Sequence, residues 1–362
     1  MCSTSASLSW VKAHSGLAGA PLRPQDATSV PLGGTGSHAR PTIPRPMTSR
    51  FPTRVVLAVA VVLVLWASAY AGIRAGLKAY SPPQLALLRF LVASAVLAVY
   101  AAIAHFRRPE WRDIPGLILT GAIGITFYNI ALNYGETRVT AGAASMLIGS
   151  TPIWTALIAR VVLRERLSVP GWCGVLLSFG GVALIAAGEG EGIHLSPQAL
   201  IILSAAITSA IYIVVQKYFL GRYSALQFTA YTIWAGTLLM IPFSTGLRGA
   251  VLAAPLHSTL AVVYLGIFPA AIAYLAWAYV LSHAPAGKTT TLLYVIPVLA
   301  VVIAWVWLGE IPRPVSLVGG TIALAGVLMA HFWGKAPSLT RPYHMDTSKR
   351  RTGACEVRHI AS

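Results

Sequence analysis

Apolar residues in this chain run in long blocks, without the strict alternation of a strand or the one-sided stripe of a surface helix. A membrane helix needs about 20 mostly apolar residues. Charge-poor blocks of that length mark approximate spans at 55–76, 81–104, 114–134, 139–162, 168–188, 196–216, 224–245, 257–280, 286–308 and 314–333. The links between them are short and carry Pro, Gly or charge, as in "HFRRPEWRD", "GEGEGIHLSPQ", "FLGRYS" and "GEIPRP". The pattern predicts an all-α polytopic membrane protein of ten transmembrane helices, leaving no room for a soluble catalytic domain.

The ends of the chain differ from the blocks. Residues 1–53 are rich in Ser, Thr, Pro, Gly and Ala without a periodic apolar face, and they read as a disordered tail. They lack the apolar core and small-residue cleavage site of a secretory signal. "MTSRFPTRVVLAVAVV" opens at Met47, directly before the first block, and the expectation is that translation starts there. Residues 334–362 read as a second disordered tail, polar and basic.

The blocks repeat. Sliding the chain along itself by 145 residues, the distance from Pro152 to Pro297, puts Gly121 on Gly266, Tyr134 on Tyr279, Ala141-Gly142 on Ala286-Gly287 and Glu165 on Glu310. Gly174 falls on Gly319, and Gly181-Val182 on Gly326-Val327. Similar oiliness explains matched leucines, but not Tyr, Pro, Glu and Gly held in one register. The chain therefore divides into two five-helix repeats, 54–188 and 196–333. An odd helix count turns the second repeat upside down, an architecture that places a substrate site near the midplane between the halves.

Composition and charge narrow the partners. The chain has 362 residues, 56% of them hydrophobic and 10% charged, where a soluble domain carries about 25% charged residues. A formal net charge of +17 raises the possibility of nucleic acid. The basic residues, however, gather in the tails and the short loops, as around membrane spans, so nucleic acid is not expected as a partner. Lys and Arg outnumber on the side holding Arg107, Arg108, Arg112, Arg164, Arg166, Lys217, Arg222 and Lys288, which predicts both termini in the cytoplasm and the cell inner membrane as the site. The three cysteines, Cys2, Cys173 and Cys355, form neither a disulfide framework nor a metal motif, and nothing in the pattern calls for a cofactor.

Four stretches carry a resemblance: "WASAYAGIRAGL" (Trp66–Leu77), "PPQLALLRF" (Pro82–Phe90), "ALNYGETRVTAGAASMLIGSTPIWTALIARVVLRERLSVPGWCGVLLSFGGVALI" (Ala131–Ile185) and "LGEIPRPVSLVGGTIALAGVLM" (Leu308–Met329). Together they resemble the EamA family of the drug/metabolite transporter superfamily over about residues 54–333. The resemblance implies a ten-helix exporter of small metabolites, often amino acids or related compounds, and leaves the substrate open.

Charge inside the blocks singles out Arg89. The uncharged run behind it, Phe90 to Ala104, would rise about 22 Å as a helix, too short for roughly 30 Å of hydrocarbon. The second helix must therefore start near Ser81 and carry Arg89 about two turns inside. Insertion there costs about 2.5 kcal/mol or more, so the side chain is expected to face the bundle or a wet cavity. A guanidinium there could fork onto a substrate carboxylate; snorkelling to the headgroups is the alternative. Arg74 and Arg160, nearer helix ends, are expected to snorkel, and Lys288 is a weaker candidate. Glu165 and Glu310 read as interfacial charges, and no acid is expected mid-membrane.

Neutral polar groups extend the candidate site. Asn129 and Asn133 sit four apart on one helix face, with Tyr134 a step round. Trp66, Tyr70, Tyr212, Gln216, Tyr274, Trp277 and Tyr294 could line the same cavity, although each aromatic taken alone fits packing or an interface belt as well. Gly174, Gly181, Gly319 and Gly326 are expected to let helices pack closely. Pro152, Pro269 and Pro297 should kink their spans and suit a gated cavity.

Together with the family resemblance, these residues predict a secondary transporter that exports small metabolites, amino acids or related zwitterions and anions, by alternating access. A cationic drug exporter is the alternative, weakened by the missing buried acid. A membrane enzyme acting on lipids is a further one, weakened by the scatter of His105, His257, His283 and His331. Partners are a small-molecule substrate and membrane lipids; oligomeric state is open, a homodimer included.

Overall fold

A computed structural model of the protein describes residues 52–163, 168–189, 196–283 and 291–333. The expected tails, the Met47 start, Glu165 and Lys288 lie outside the described residues. Among those residues every regular element is a helix. Nine helices are long and apolar enough to cross a membrane: α1 (Thr53–Gly76), α2 (Pro82–Ile103), α3 (Ile114–Gly135), α4 (Ala141–Ile158 as a spanning stretch), α5 (Val169–Gly188), α6 (Pro197–Phe219), α7 (Ala225–Ser244), α8 (Leu256–Leu281) and α10 (Pro314–Trp333). Between them lies the shorter apolar α9 (Leu292–Leu308), part of the expected 286–308 span. Large apolar side chains such as Leu57, Ile103, Leu176 and Val306 stay exposed around the bundle, as a lipid-facing surface requires.

Helix starts follow the local sequence. Ser81 and Ser224 open α2 and α7, and in each case a Gln three residues on accepts a hydrogen bond from the cap's own N–H (3.3 and 3.1 Å). Ser168 and Ser196 cap α5 and α6 through their hydroxyls. The Tyr-Ser pairs at 80–81 and 223–224 stand 143 apart, so α1–α2 match α6–α7 at a register two residues tighter than the 145 of the later helices.

The repeat also governs packing. Exchanging the halves maps the pair α1–α9 onto α6–α4, α1–α8 onto α6–α3, and α2–α8 onto α7–α3, and both members of every pair are in contact. The pairs α2–α7, α4–α9 and α5–α10 map onto themselves and are also in contact. The expected inverted architecture is therefore the one observed. Its clearest expression is the α5–α10 seam, where Gly174 backs onto Gly326 and Gly181 onto Gly319. A Cβ on Gly174 would stand 2.6 Å from the Gly326 carbonyl oxygen, and one on Gly326 the same distance from the Gly174 carbonyl. At Gly181 and Gly319 the corresponding distances are 2.5 and 2.7 Å. Position rises along α5 as it falls along α10, so the helices are antiparallel. Small residues at such contacts let backbones approach and gain dispersion where lipid offers no hydrophobic drive.

The prolines act at matching places. The expected continuous span 139–162 is broken at Gly149 and Ser150: an eight-residue helix, Ala141–Ile148, precedes the second segment, Thr151–Leu163. In α9 a 3₁₀ turn, Thr291–Val295, precedes Ile296–Leu308. Pro152 and Pro297 are each the second residue of these segments, where a missing N–H does no harm. They begin new segments and do not kink continuous ones. Pro269 lies in a π-helical stretch of α8, Phe268–Ile272, and the matching part of α3, Ala122–Phe127, is π-helical too, with Gly124 at the corresponding place. The expected span 224–245 closes in a 3₁₀ turn, Ile241–Ser244, and a short helix that the blocks do not reveal, Leu247–Ala253, follows it.

Candidate substrate-binding site

The π stretches set up the site. A π turn is rare, shifts helical phase and recurs at functional positions. Two residues past the one in α3 stands Asn129; two residues past the one in α8 stands Tyr274, the repeat-equivalent position. The Asn129 amide donates to the Ile125 carbonyl at 2.8 Å, covering an acceptor of the distorted turn. Its Oδ1 accepts from Arg89 Nη1 of α2 at 3.4 Å.

Arg89 is buried, 8% exposed, as its position two turns inside α2 requires. The long bond to Asn129 engages one arm of its guanidinium, while its Nε is buried with no hydrogen-bond partner among the described residues. Tyr274 of α8, Tyr128 of α3, Tyr70 of α1 and Glu136 lie close enough to interact with its charge. The expectation that Arg89 faces the bundle holds; snorkelling does not occur. A buried guanidinium this sparsely bonded is poised to take an acceptor with two oxygens.

Asn129, Asn133 and Glu136 follow one another at steps of four and three, one face of α3. Asn133 donates to the Pro82 carbonyl at the start of α2 (2.9 Å), and its Oδ1 is buried without a partner among the described residues. Glu136 is fully buried, and neither carboxyl oxygen has a hydrogen-bond partner among the described residues. It stands one residue beyond the spanning stretch. Burial pushes its carboxyl well above the usual carboxylate range; Arg74 and Arg89 oppose that shift and Glu310 adds to it. In the sequence Glu136 stands at the edge of an apolar block. Continuing the Asn129–Asn133 stripe by three more residues reaches it.

Arg74 likewise corrects the snorkelling expectation. Its Nε and Nη2 reach the Glu310 carboxylate at 3.0 and 2.8 Å, and its Nη1 donates to the Glu136 carbonyl at 2.6 Å. This ion pair joins α1 of the first half to the segment after α9 of the second, so Glu310 is more than an interfacial charge. Arg160 lies over the Trp172 ring of α5, 5.3 Å from its centroid.

The aromatic candidates divide. Trp66 packs edge-on to Tyr274 (5.6 Å) and tilted against Trp277 (5.7 Å), joining α1 and α8 beside the Arg89 group. Tyr70 is buried on α1 one turn further on. Tyr212 of α6 packs tilted against Phe228 (5.5 Å) and shares a 3.2 Å hydrogen bond with Thr232 of α7. Gln216, one turn beyond Tyr212, is half-buried. Tyr134 lies apart: it is 46% exposed on the outer face, because one residue past Asn133 turns it about 100° away. Tyr294 is apart too, packed beside Ile153, Val175 and Val327 and edge-on to His331.

The candidate site thus draws on both halves, and each half has a counterpart among known proteins. The EamA-like transporter family model matches twice, over residues 53–187 and 196–332. The chain belongs to the EamA-like transporter family. Two relatives of this EamA-like protein are named as transporters. YdfC of Bacillus subtilis, an uncharacterized transporter, is 41% identical over 278 residues, 77% of this chain and 91% of YdfC. A protein of Streptantibioticus cattleyicolor named a probable terminal-alkyne amino-acid exporter is 38% identical over 277 residues, 76% of this chain and 93% of its own. One solved protein crystal structure, 21% identical, aligns over 78% of this chain and 97% of its own with a TM-score of 0.54, a likeness of fold. The protein is an integral membrane transporter of this EamA-like family.

Proposed function

We propose that the protein exports amino acids or related zwitterions and anions across the inner membrane by alternating access, with both termini cytoplasmic. The observation that carries the substrate class is Arg89: a buried cation with an unpartnered Nε and one long hydrogen bond, ringed by Tyr70, Tyr128 and Tyr274 from both halves. A substrate carboxylate would supply the two acceptors that this guanidinium lacks, and the aromatic group of Trp66, Tyr274 and Trp277 would cover an apolar side chain. The relative named as a terminal-alkyne amino-acid exporter supports the same class. The inverted halves give the transport cycle its physical basis: two packings of equivalent elements, one opening to each side. Lys and Arg in the loops support the orientation. Under that orientation Arg74, Glu136 and Glu310 lie at the outer end of the bundle.

Glu136 favours a second reading. A buried acid suits a cationic drug exporter, although the apolar blocks themselves hold none mid-membrane. The adjacent Arg89 opposes a cation that brings no carboxylate, so the zwitterion reading accounts for both charges. Counterflow in proteoliposomes with a panel of amino acids and a quaternary ammonium compound tests this. The expected result is exchange of at least one amino acid and none of the cation; exchange of the cation alone would overturn the proposal.

A further inference from the structure

Arg74, Glu136, Glu310 and Arg89 form a chain of charges in which the Glu136 carboxyl has no hydrogen bond among the described residues. Glu310 is satisfied by the Arg74 fork (3.0 and 2.8 Å), with the Ala141 N–H at 3.5 Å. Arg74 turns its remaining arm to the Glu136 carbonyl and leaves the Glu136 carboxyl unserved. An ionised carboxylate without donors is not tolerated in a dry interior; such a group holds a proton or awaits a cation. The groups that face it are Arg74 and Tyr70 on α1, Arg89 on α2, Tyr128 on α3 and Glu310 after α9. Across Asn129 and Asn133 on the same helix face lies the acceptor-poor Arg89. With Glu136 ionised, the two ends of this stripe would carry opposite charges, the arrangement a zwitterion presents in reverse.

We propose that Glu136 is the proton-exchange site of the transporter and the second half of a zwitterion clamp, with Arg89 holding the substrate carboxylate and the Glu136 carboxylate holding its ammonium group. This rests on the amino-acid reading above. Ammonium and proton then compete for one carboxylate. Without substrate, Glu136 is a neutral carboxyl. When the substrate ammonium binds, the Glu136 O–H bond breaks and its proton leaves to the side from which the substrate came. When the substrate departs on the far side, a proton from that side re-forms the bond. Each cycle carries a neutral zwitterion one way and a proton the other, so inward proton flow drives export and moves net positive charge inward. The Asn133 amide, with its free Oδ1, stands between the two ends as a further acceptor for the ammonium.

The test uses the full chain in proteoliposomes with three probes that share one terminal-alkyne side chain: L-propargylglycine, 4-pentynoate, which lacks the ammonium, and but-3-ynylamine, which lacks the carboxylate. Export of L-propargylglycine should be accelerated by an inward proton gradient and should displace protons reported by an interior pH dye. Its half-saturation should worsen as pH falls through the raised Glu136 range, because protonation removes the ammonium's partner. Any exchange of 4-pentynoate should lack that pH dependence. Glu136→Gln should lose proton-driven accumulation by about tenfold or more, while Glu136→Asp, an acid at the same place, should restore part of it and report that the fold is intact. Wild-type net export of L-propargylglycine without proton movement, or full proton coupling in Glu136→Gln, would overturn this inference and leave the amino-acid reading standing. Transport of but-3-ynylamine in preference to both carboxylates would overturn the two together.

Discussion

The α5–α10 seam and the Arg89 site obey the repeat in opposite ways. At the seam the two halves are interchangeable: Gly174 and Gly181 of α5 meet Gly326 and Gly319 of α10, their equivalents in crossed order. At the site the backbone keeps the symmetry and the side chains abandon it. The Gly121 backbone approaches the Thr232 carbonyl as closely as Gly266 approaches the Arg89 carbonyl, 2.6 Å from a notional Cβ in each case, so Arg89 and Thr232 hold equivalent places. Likewise Asn129 answers to Tyr274, Asn133 to Ala278 and Glu136 to Leu281. Equivalent packing lets the bundle adopt two mirrored arrangements at similar energy. Charge placed on one half alone lets a single substrate be held at a single place throughout.

The comparison can be broken most severely at the seam. Gly181→Leu drives a side chain into the Gly319 backbone and should cost about 3 kcal/mol or more, read as a large fall in thermal midpoint in detergent. Its neighbour is the control: Gly180 has nothing within 4 Å of a Cβ and faces outward, so Gly180→Leu should leave the midpoint nearly unchanged. If the two substitutions cost the same, the seam has no special part in stability. A smaller effect is expected where the halves are tied by charge. Arg74→Gln removes the fork to Glu310, whose ends are about a quarter exposed, and should destabilise by about 1–3 kcal/mol. A matching loss in Glu310→Gln, with no further loss in the double variant, would assign the cost to the pair itself; additive losses would not.

Much of this architecture was legible in the chain. The apolar blocks gave the spans because lipid demands them, and the 145-residue register carried the inversion because Pro, Tyr and Gly are not interchangeable with oily residues. Arg89 and the two asparagines were legible because a polar group inside a block has few places to go. What escaped had local causes. Glu136 was missed because it lies one residue past the oily block, where an acid usually meets water. The Arg74–Glu310 pair spans 236 residues, and no sequence pattern marks such a contact. The π stretches leave no compositional trace in α3, where Gly124 stands in place of Pro269. Tyr134 and Tyr294 were drawn into the candidate site by residue type, and their direction on the helix took them out of it.

The central claim is that equivalent positions in the two halves carry unequal chemistry. Exchange of an amino acid identified by the counterflow panel, measured in the same proteoliposomes for Arg89→Gln and Thr232→Val, tests it most directly. The account predicts a loss of about tenfold to a hundredfold in Arg89→Gln, the size expected for charge-assisted bonds to a carboxylate, and near wild-type exchange in Thr232→Val. Equal losses in both variants, or none in either, would contradict it.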